Sequence, residues 1–566
     1  MNSSAKCRMR RSRSLITSVA TLSAAMASRE TVSEDRDGTK RIINRFSPEP
    51  TNFVLLLLGL LEMKMTHTPE NRTYWNETAA ATAFPRLFGD VNADVAIIGG
   101  GIVGITTARM LKDMGQAVAV IEARRVGRQV TGKSTAKITS QHSIIYQTLE
   151  QKFGEDRARL YAGAQESAIR KIRSLAAHYG IDCDIETKSA YTYTRDRTYV
   201  SKIEKEVEVA QRLGLPASLV NQTGLPFDIL AAIRFENQAQ FHPTKYIAGL
   251  AKTIPGDRCH VFEDSRVVDW DLARVVTDRG SVTARYVVMA THLPLEQVGG
   301  YYALAYPQAE PVIAARISRA PNGMYINVEQ PSHSIRTHTQ QNGDVYGIVA
   351  GTSFKPGHTD DERKYFQDIE HWLTSNFDVG PIEYRWVNED YSSMDNAPFI
   401  GWSSSIGDGY LVATGFDAWG ITNGTAAGMI LADLATGKEN EWLKVFDATR
   451  VKPIAGGPQF VRENAEVAAQ LVSGYLSRKP KSFDELAPGE AAIMKIDGQN
   501  VAAFKDEQGR VHAVSSVCTH MGCLVGWNET DRTWDCPCHG SRFDLNGEVI
   551  HGPATKPLAM ALPDSR

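Results

Sequence analysis

Two short boxes near the C-terminal end hold the densest set of reactive side chains. They are Cys518-Thr519-His520 and, fifteen residues further on, Cys536-Pro537-Cys538-His539. Two thiolates and two imidazoles on two turns make a ligand set for a metal. Zinc accepts two cysteines and two histidines as a tetrahedron, and an iron–sulfur cluster accepts them with the cysteines on one iron and the histidines on the other. Ligand type alone leaves both open. Cys523 lies in the same stretch, while Cys7, Cys183 and Cys259 complete the seven cysteines as scattered singles. Clustering beside histidines argues for metal before a secreted disulfide framework.

A second constellation is Gly99-Gly100-Gly101-Ile102-Val103-Gly104, a G-x-G-x-x-G run. Gly99 permits a tight turn, Gly101 lets backbone approach a pyrophosphate, and Gly104 lets a helix pack closely on a strand. The helix N-terminus then offers free N–H groups and a positive dipole end to the phosphates. Glu122 stands about twenty residues on, where an acid accepts hydrogen bonds from ribose hydroxyls. FAD and NAD both use this element.

The elements that must position these groups are legible in the hydrophobic pattern. A β-branched run over residues 94–98, helical spacing over 102–114 and an apolar run over 117–121 make a β-α-β unit, which implies a parallel sheet. Residues 155–179 and 200–213 read as amphipathic helices, 286–290, 345–350 and 410–413 as strands, and 424–434 as a buried helix. Around residues 452–458 a Pro/Gly cluster marks a boundary, followed by a helix-like stretch.

Residues 94–438 resemble the FAD-dependent oxidoreductases of the D-amino-acid oxidase and glycine oxidase type. The likeness is carried by the glycine run and Glu122, the polar loop 131–137, Gln240-Phe241-His242-Pro243, Met394-Asp395-Asn396-Ala397-Pro398-Phe399-Ile400-Gly401, and the strand-to-helix passage 411–424. It implies that Gly99, Gly101, Gly104, Glu122, Ser134, Thr135, Gly415, Gly420 and Thr422 contact FAD. It also implies an amine or amino-acid substrate oxidised by hydride transfer to the flavin. Arg336 is the candidate grip on a substrate carboxylate, because Arg offers planar bidentate geometry. Tyr325 and His338 are further candidates.

Residues from Pro480 to the end resemble a Rieske [2Fe–2S] domain. By position in that pattern Cys518, His520, Cys536 and His539 are the cluster ligands, and Cys523 and Cys538 pair as a disulfide joining the two cluster loops. Gly552-Pro553 matches the proline loop that shields the cluster, and Ser541 the serine that bonds a bridging sulfide. Where high-potential members carry a tyrosine, this chain has Phe543. A phenyl ring donates no O–H bond to sulfur, which implies a potential below the top of the range.

The fold expected is α/β: an FAD-binding Rossmann-like domain with an inserted α+β substrate domain, then a small all-β Rieske domain. The divisions are 1–90 as an N-terminal extension outside the working fold, 91–450 as the oxidoreductase, 451–480 as linker and helix, and 481–566 as the Rieske domain. The extension has no acid before Glu30 but five basic residues from Lys6 to Arg13, then a mildly apolar stretch resembling a signal or transit peptide. The reading favoured over this is a true start at Met63 or Met65. The 62 Lys and Arg against 65 Asp and Glu give a net charge of −3, which excludes a basic excess for nucleic acid. No window is long and apolar enough for a membrane span, and the location read is cytoplasmic, or exported if the extension is a true signal.

The expected partners are a small-molecule substrate and an electron donor or acceptor that the residues do not name. An NAD(P)H-fed reductase is the alternative, although a second dinucleotide fingerprint is missing after Gly104, as is a redox sensor or assembly protein without turnover.

Overall fold

The computed structural model describes residues 72–561 apart from 272, 296–299, 357–361, 404–408, 451–464, 466–481 and 530. The expected leader, the alternative start sites and nearly all of the 451–480 connection lie outside the described residues.

The glycine run sits at the end of a ten-residue strand, Gly89–Ile98, whose last four residues are buried. Its neighbours Val118–Ile121 and Gly280–Met289 run parallel to it, as the β-α-β reading requires. Together with His260–Phe262, Tyr410–Thr414 and Phe399–Trp402 they form the spine of an eight-stranded sheet. Near-continuous Val, Ile and Ala in the central strands reflect burial on both faces, the usual state of a parallel sheet. The helix Ile102–Asp113 packs on one face against Gly420–Ala435, and both are almost entirely buried.

A nine-stranded, mostly antiparallel sheet forms the second layer. Its long strands are Ala305–Ile317 and Val379–Ser393, paired from Ala305 opposite Ser393 to Ile317 opposite Val379. Then come two small antiparallel sheets, one of three strands (Ala491–Ile496, Gln499–Lys505, Val511–Ser515) and one of four that carries the second cysteine box between Thr533–Asp535 and Arg542–Phe543.

The N-terminal boundary differs from the sequence expectation. Residues 72–90 belong to the fold. Thr73 caps a short helix, Tyr74–Glu77, by accepting a hydrogen bond from the Asn76 amide. Tyr74 and Trp75 are fully buried, the Tyr74 hydroxyl lies 2.7 Å from His338 Nδ1, and the Trp75 indole donates to the Ser134 carbonyl at 2.8 Å. Two large aromatics in so short a stretch bury enough apolar surface to hold it down, a signal that low periodicity conceals.

Candidate functional site

An elongated cavity of ≈ 260 Å³ opens at the carboxyl ends of the parallel strands. Gly99, Gly101, Glu122, Ser134, Thr135, Gly420 and Thr422 line it. Gly104 and Gly415 stand behind. A Cβ on Gly104 would meet the Gly99 carbonyl oxygen at 2.0 Å, and Gly415, at φ +78°, packs on Ser393. Gly99, at φ +109°, turns the chain so that a Cβ would strike the Ala290 carbonyl at 2.4 Å. Gly99 and Gly104 thus let the turn and the helix close on neighbouring backbone, while a Cβ on the lining residue Gly101 would meet only Thr131 Oγ1, at 3.3 Å, and would stand in the cradle that a pyrophosphate needs at the helix start.

Glu122 closes one end. Burial pushes its carboxyl up, against the pull of the Gly100 and Arg124 amides, which donate to it at 2.8 Å each. Each carboxylate oxygen keeps lone-pair capacity for a ribose hydroxyl. Arg124, Arg125 and Arg266 line the cavity near it.

Arg336 requires correction. It is fully buried, and its guanidinium donates to the backbone carbonyls of Ala136, Phe241 and Thr337 at 2.9–3.2 Å, with the Trp75 ring 5.0 Å away. Every terminal nitrogen is committed to backbone, so it ties three chain segments together and has no fork to offer a carboxylate. Tyr325 and His338 likewise lie outside the cavity lining, His338 between Tyr74 and Asp184.

The structure adds lining residues that sequence reading missed, His292, Glu310, Asn388 and Asp390, beside Lys137 at the end of the polar loop 131–137. Lys137 is buried, donates to the Tyr325 carbonyl and the Ser334 hydroxyl, and is lowered to about 7 by burial. These residues come from four separate segments that only folding brings together.

At the metal centre, Cys518 and Cys536 are buried free thiols, Cys523 and Cys538 form a disulfide, and the His520 and His539 ring centres lie 4.9 Å apart. Cys536 Sγ is within 4.8 Å of both disulfide sulfurs. A hydrogen bond from Cys536, with the His520 and Met521 amides, pulls Cys518 down to about 7 against its burial. That same bond and burial hold Cys536 up. His539 Nδ1 is buried without a hydrogen-bond partner, an orphaned donor-acceptor that a metal would satisfy. This set fits a [2Fe–2S] cluster with two thiolate and two imidazole ligands.

Ser541 Oγ accepts from the Ala554 amide at 3.0 Å, which ties the shielding loop to the cluster box, and Phe543 is fully buried. A Phe543→Tyr substitution should raise the cluster's midpoint potential. One added hydrogen bond of about 0.5–1.5 kcal/mol corresponds to about 20–60 mV for a one-electron couple. Redox titration followed by EPR checks this, and an unchanged potential would count against a hydrogen-bond deficit at this position.

The cluster-bearing region is not remote from the cavity. Ile550, His551, Gly552, Ala554 and Thr555 form part of the cavity wall. Arg124 and Arg266 donate to the Val549 carbonyl at 3.1 and 2.9 Å. The Tyr391 hydroxyl donates to the His539 carbonyl at 2.7 Å, and His292, in edge contact with Tyr391, lies 3.4 Å from His551.

Three buried histidines set an acid limit on the fold. Burial lowers His142 and His242 to about 3 and His338 to about 4. At these three sites the folded state therefore binds fewer protons than the unfolded chain below pH ~6.5, and their contribution to stability falls as pH drops from there toward those values. Each contributes at most about 1.4 kcal/mol per pH unit in that window. Urea midpoints at pH 7.5 and 5.5 should differ between His338→Gln and the parent, with the parent losing more, or gaining less, stability on acidification; an equal change in the variant would show that His338 titrates freely.

Comparison with known proteins agrees with this geometry. Residues 94–434 match the family described as FAD dependent oxidoreductase, and residues 480–562 match the Rieske [2Fe-2S] domain. A Bacillus subtilis (strain 168) protein, the Rieske 2Fe-2S iron-sulfur protein YhfW, is 37% identical over 492 residues, covering 86% of this chain and 96% of that one. The Escherichia coli (strain K12) gamma-glutamylputrescine oxidoreductase is 24% identical over 69% of this chain and 94% of its own. Glycine oxidase from Geobacillus kaustophilus shares the fold, with TM-score 0.54 at 17% identity, over 64% of this chain and all of that one. The chain therefore belongs to the FAD dependent oxidoreductase family, an enzyme with FAD in its α/β region and a [2Fe–2S] cluster in a C-terminal Rieske domain.

Proposed function

We propose that the enzyme oxidises a small amine or amino-acid-like substrate at the cavity and passes the electrons singly through the cluster of the same chain. Bound FAD supplies the conversion between two-electron hydride chemistry and one-electron transfer. The observation that carries the reading is the wall shared by the two regions: the segment 550–555 lines the dinucleotide cavity while Tyr391 holds the backbone of a cluster ligand.

In this reading Gly99, Gly101 and the start of Ile102–Asp113 hold the pyrophosphate, Glu122 the ribose, and Ser134, Thr135, Gly420 and Thr422 the remaining cofactor. Cys518 and Cys536 hold one iron, and His520 and His539 the other. The name of the Escherichia coli relative, a gamma-glutamylputrescine oxidoreductase, supports an amine as substrate. An external acceptor takes the electrons onward.

The test is anaerobic addition of amines, amino acids and NADH to the purified protein, followed by flavin absorbance and cluster EPR. Bleaching by an amine or amino acid with appearance of a reduced Rieske signal is the expected result. Reduction by NADH alone would replace this reading with an NAD(P)H-fed reductase, and no response to any compound would favour a sensor.

A further inference from the structure

The two ends of the cavity differ in charge. Arg124, Arg125 and Arg266 gather at the Glu122 end, whereas the floor supplied by the nine-stranded sheet presents Glu310, Asn388 and Asp390 with Lys137 as its cation. Asp390 is already used. Its Oδ1 pairs with His292 at 2.8 Å and accepts from the Tyr391 amide, and its Oδ2 accepts from the Ala418 amide.

Glu310 and Asn388 are not used in that way. They face each other as a directly paired cross-strand couple on Ala305–Ile317 and Val379–Ser393, so their side chains rise from one face of the sheet into the cavity. Asn388 is 6% exposed and its Oδ1 has no hydrogen-bond partner. Among the described residues no hydrogen bond or ion pair engages the Glu310 carboxylate. Burial, with Asp390 and Asp417 nearby, raises that carboxyl to about 8 despite Lys137, so a further cation in contact would favour its ionised form. Asn388 Oδ1 is thus a buried acceptor without a donor beside a half-buried carboxyl, and a ligand that supplies N–H groups would relieve that cost.

From this geometry we infer that Glu310 and Asn388 form an ammonium-recognition site, and that the substrate is a cationic amine without a carboxylate beside its nitrogen. The inference rests on the amine-or-amino-acid reading above and narrows it. Arg336, the one arginine proposed to take a carboxylate, is committed to backbone, and a carboxylate on the reacting carbon would be one more acceptor beside Asn388 Oδ1 and the Glu310 carboxyl.

Binding and oxidation can be tested separately on the full-length holoprotein. tert-Butylammonium has no hydrogen on the carbon bearing nitrogen, so it binds without being oxidised, and pivalate is its anionic counterpart. Calorimetric titration should show tert-butylammonium binding and no pivalate binding. Glu310→Gln should weaken it about tenfold or more, as expected for loss of a charged hydrogen-bond partner, and Asn388→Asp should retain or strengthen it.

In parallel, 1,4-diaminobutane and butylamine should bleach the flavin where their carboxylated counterparts ornithine and norvaline do not. Pivalate binding as well as or better than tert-butylammonium, or an unchanged affinity in Glu310→Gln with normal FAD and cluster content, overturns the site. If Glu310→Gln does not fold, the wild-type comparison of cation against anion decides alone. Ammonium binding that depends on Glu310 without bleaching by any amine keeps the site and rejects the oxidase reading. Bleaching by norvaline in preference to butylamine keeps the oxidase and rejects the site.

Discussion

Arg542→Leu should destabilise the protein by about 3–5 kcal/mol, the usual cost of removing one partner from a buried ion pair. The Arg542 side chain is 3% exposed and meets three carboxylates that are equally hidden: Asp531, Asp535 at 3.0 Å and Glu389 at 2.9 Å. Without the guanidinium, three acids remain in a dry site with the buried Lys133 as the nearby charge and no arginine fork to bond them. Asp531 and Asp535 belong to the cluster-bearing sheet region, but Glu389 lies on Val379–Ser393 of the large sheet, so the arginine pins one region to the other. Denaturation followed by both flavin and cluster signals should show the two transitions separating in the leucine variant. Reduction of the cluster after flavin bleaching should also slow. Arg542→Lys keeps the charge but loses the planar fork and should fall between the two. An Arg542→Leu protein with unaltered stability would show that the acids find other partners or protonate without penalty.

Gly104→Ala should remove FAD while sparing the cluster. The added methyl would sit 2.0 Å from the Gly99 carbonyl oxygen and 3.2 Å from Ile97 Cγ2. The helix cannot retreat, because its other side is held by glycines of Gly420–Ala435: a Cβ on Gly424 would already lie 2.7 Å from Ile102, and one on Gly428 2.7 Å from Thr106. Overpacking of this kind costs about 1–3 kcal/mol, and the displaced helix start carries the amides that face the pyrophosphate. A shift of that size in cofactor affinity corresponds to about 5- to 150-fold. The ratio of flavin absorbance to iron content measures it directly. A variant that holds FAD as the parent does would mean that the turn relaxes without moving those amides.

The glycine run, Glu122 and the Cys/His boxes were legible because each depends on local spacing: a tight turn, a helix start and two ligand turns write their needs into a few consecutive residues. The helix Ile102–Asp113 was legible through its 3.6-residue spacing, and Gly420–Ala435 through a run of small and apolar residues over 424–434. Arg336 was misread because a sequence shows which donors a residue has but not which acceptors folding brings to it. The carbonyls it satisfies belong to residues 136, 241 and 337, up to 200 positions away. Residues 72–90 were misassigned because two buried aromatics in an irregular segment leave no periodic trace.

What the sequence by itself determined was the chemistry of the cofactors, since their ligands and cradles are built from short contiguous motifs. What only tertiary structure decided was the polar floor of the cavity and the relation between the two redox regions. Glu310 and Asn388 are neighbours solely through strand register, and Arg542 meets Glu389 across 153 positions of chain. Such pairings come from burying two sheets and a small domain against one another, and no local pattern of residues encodes which distant acceptor a buried donor will find.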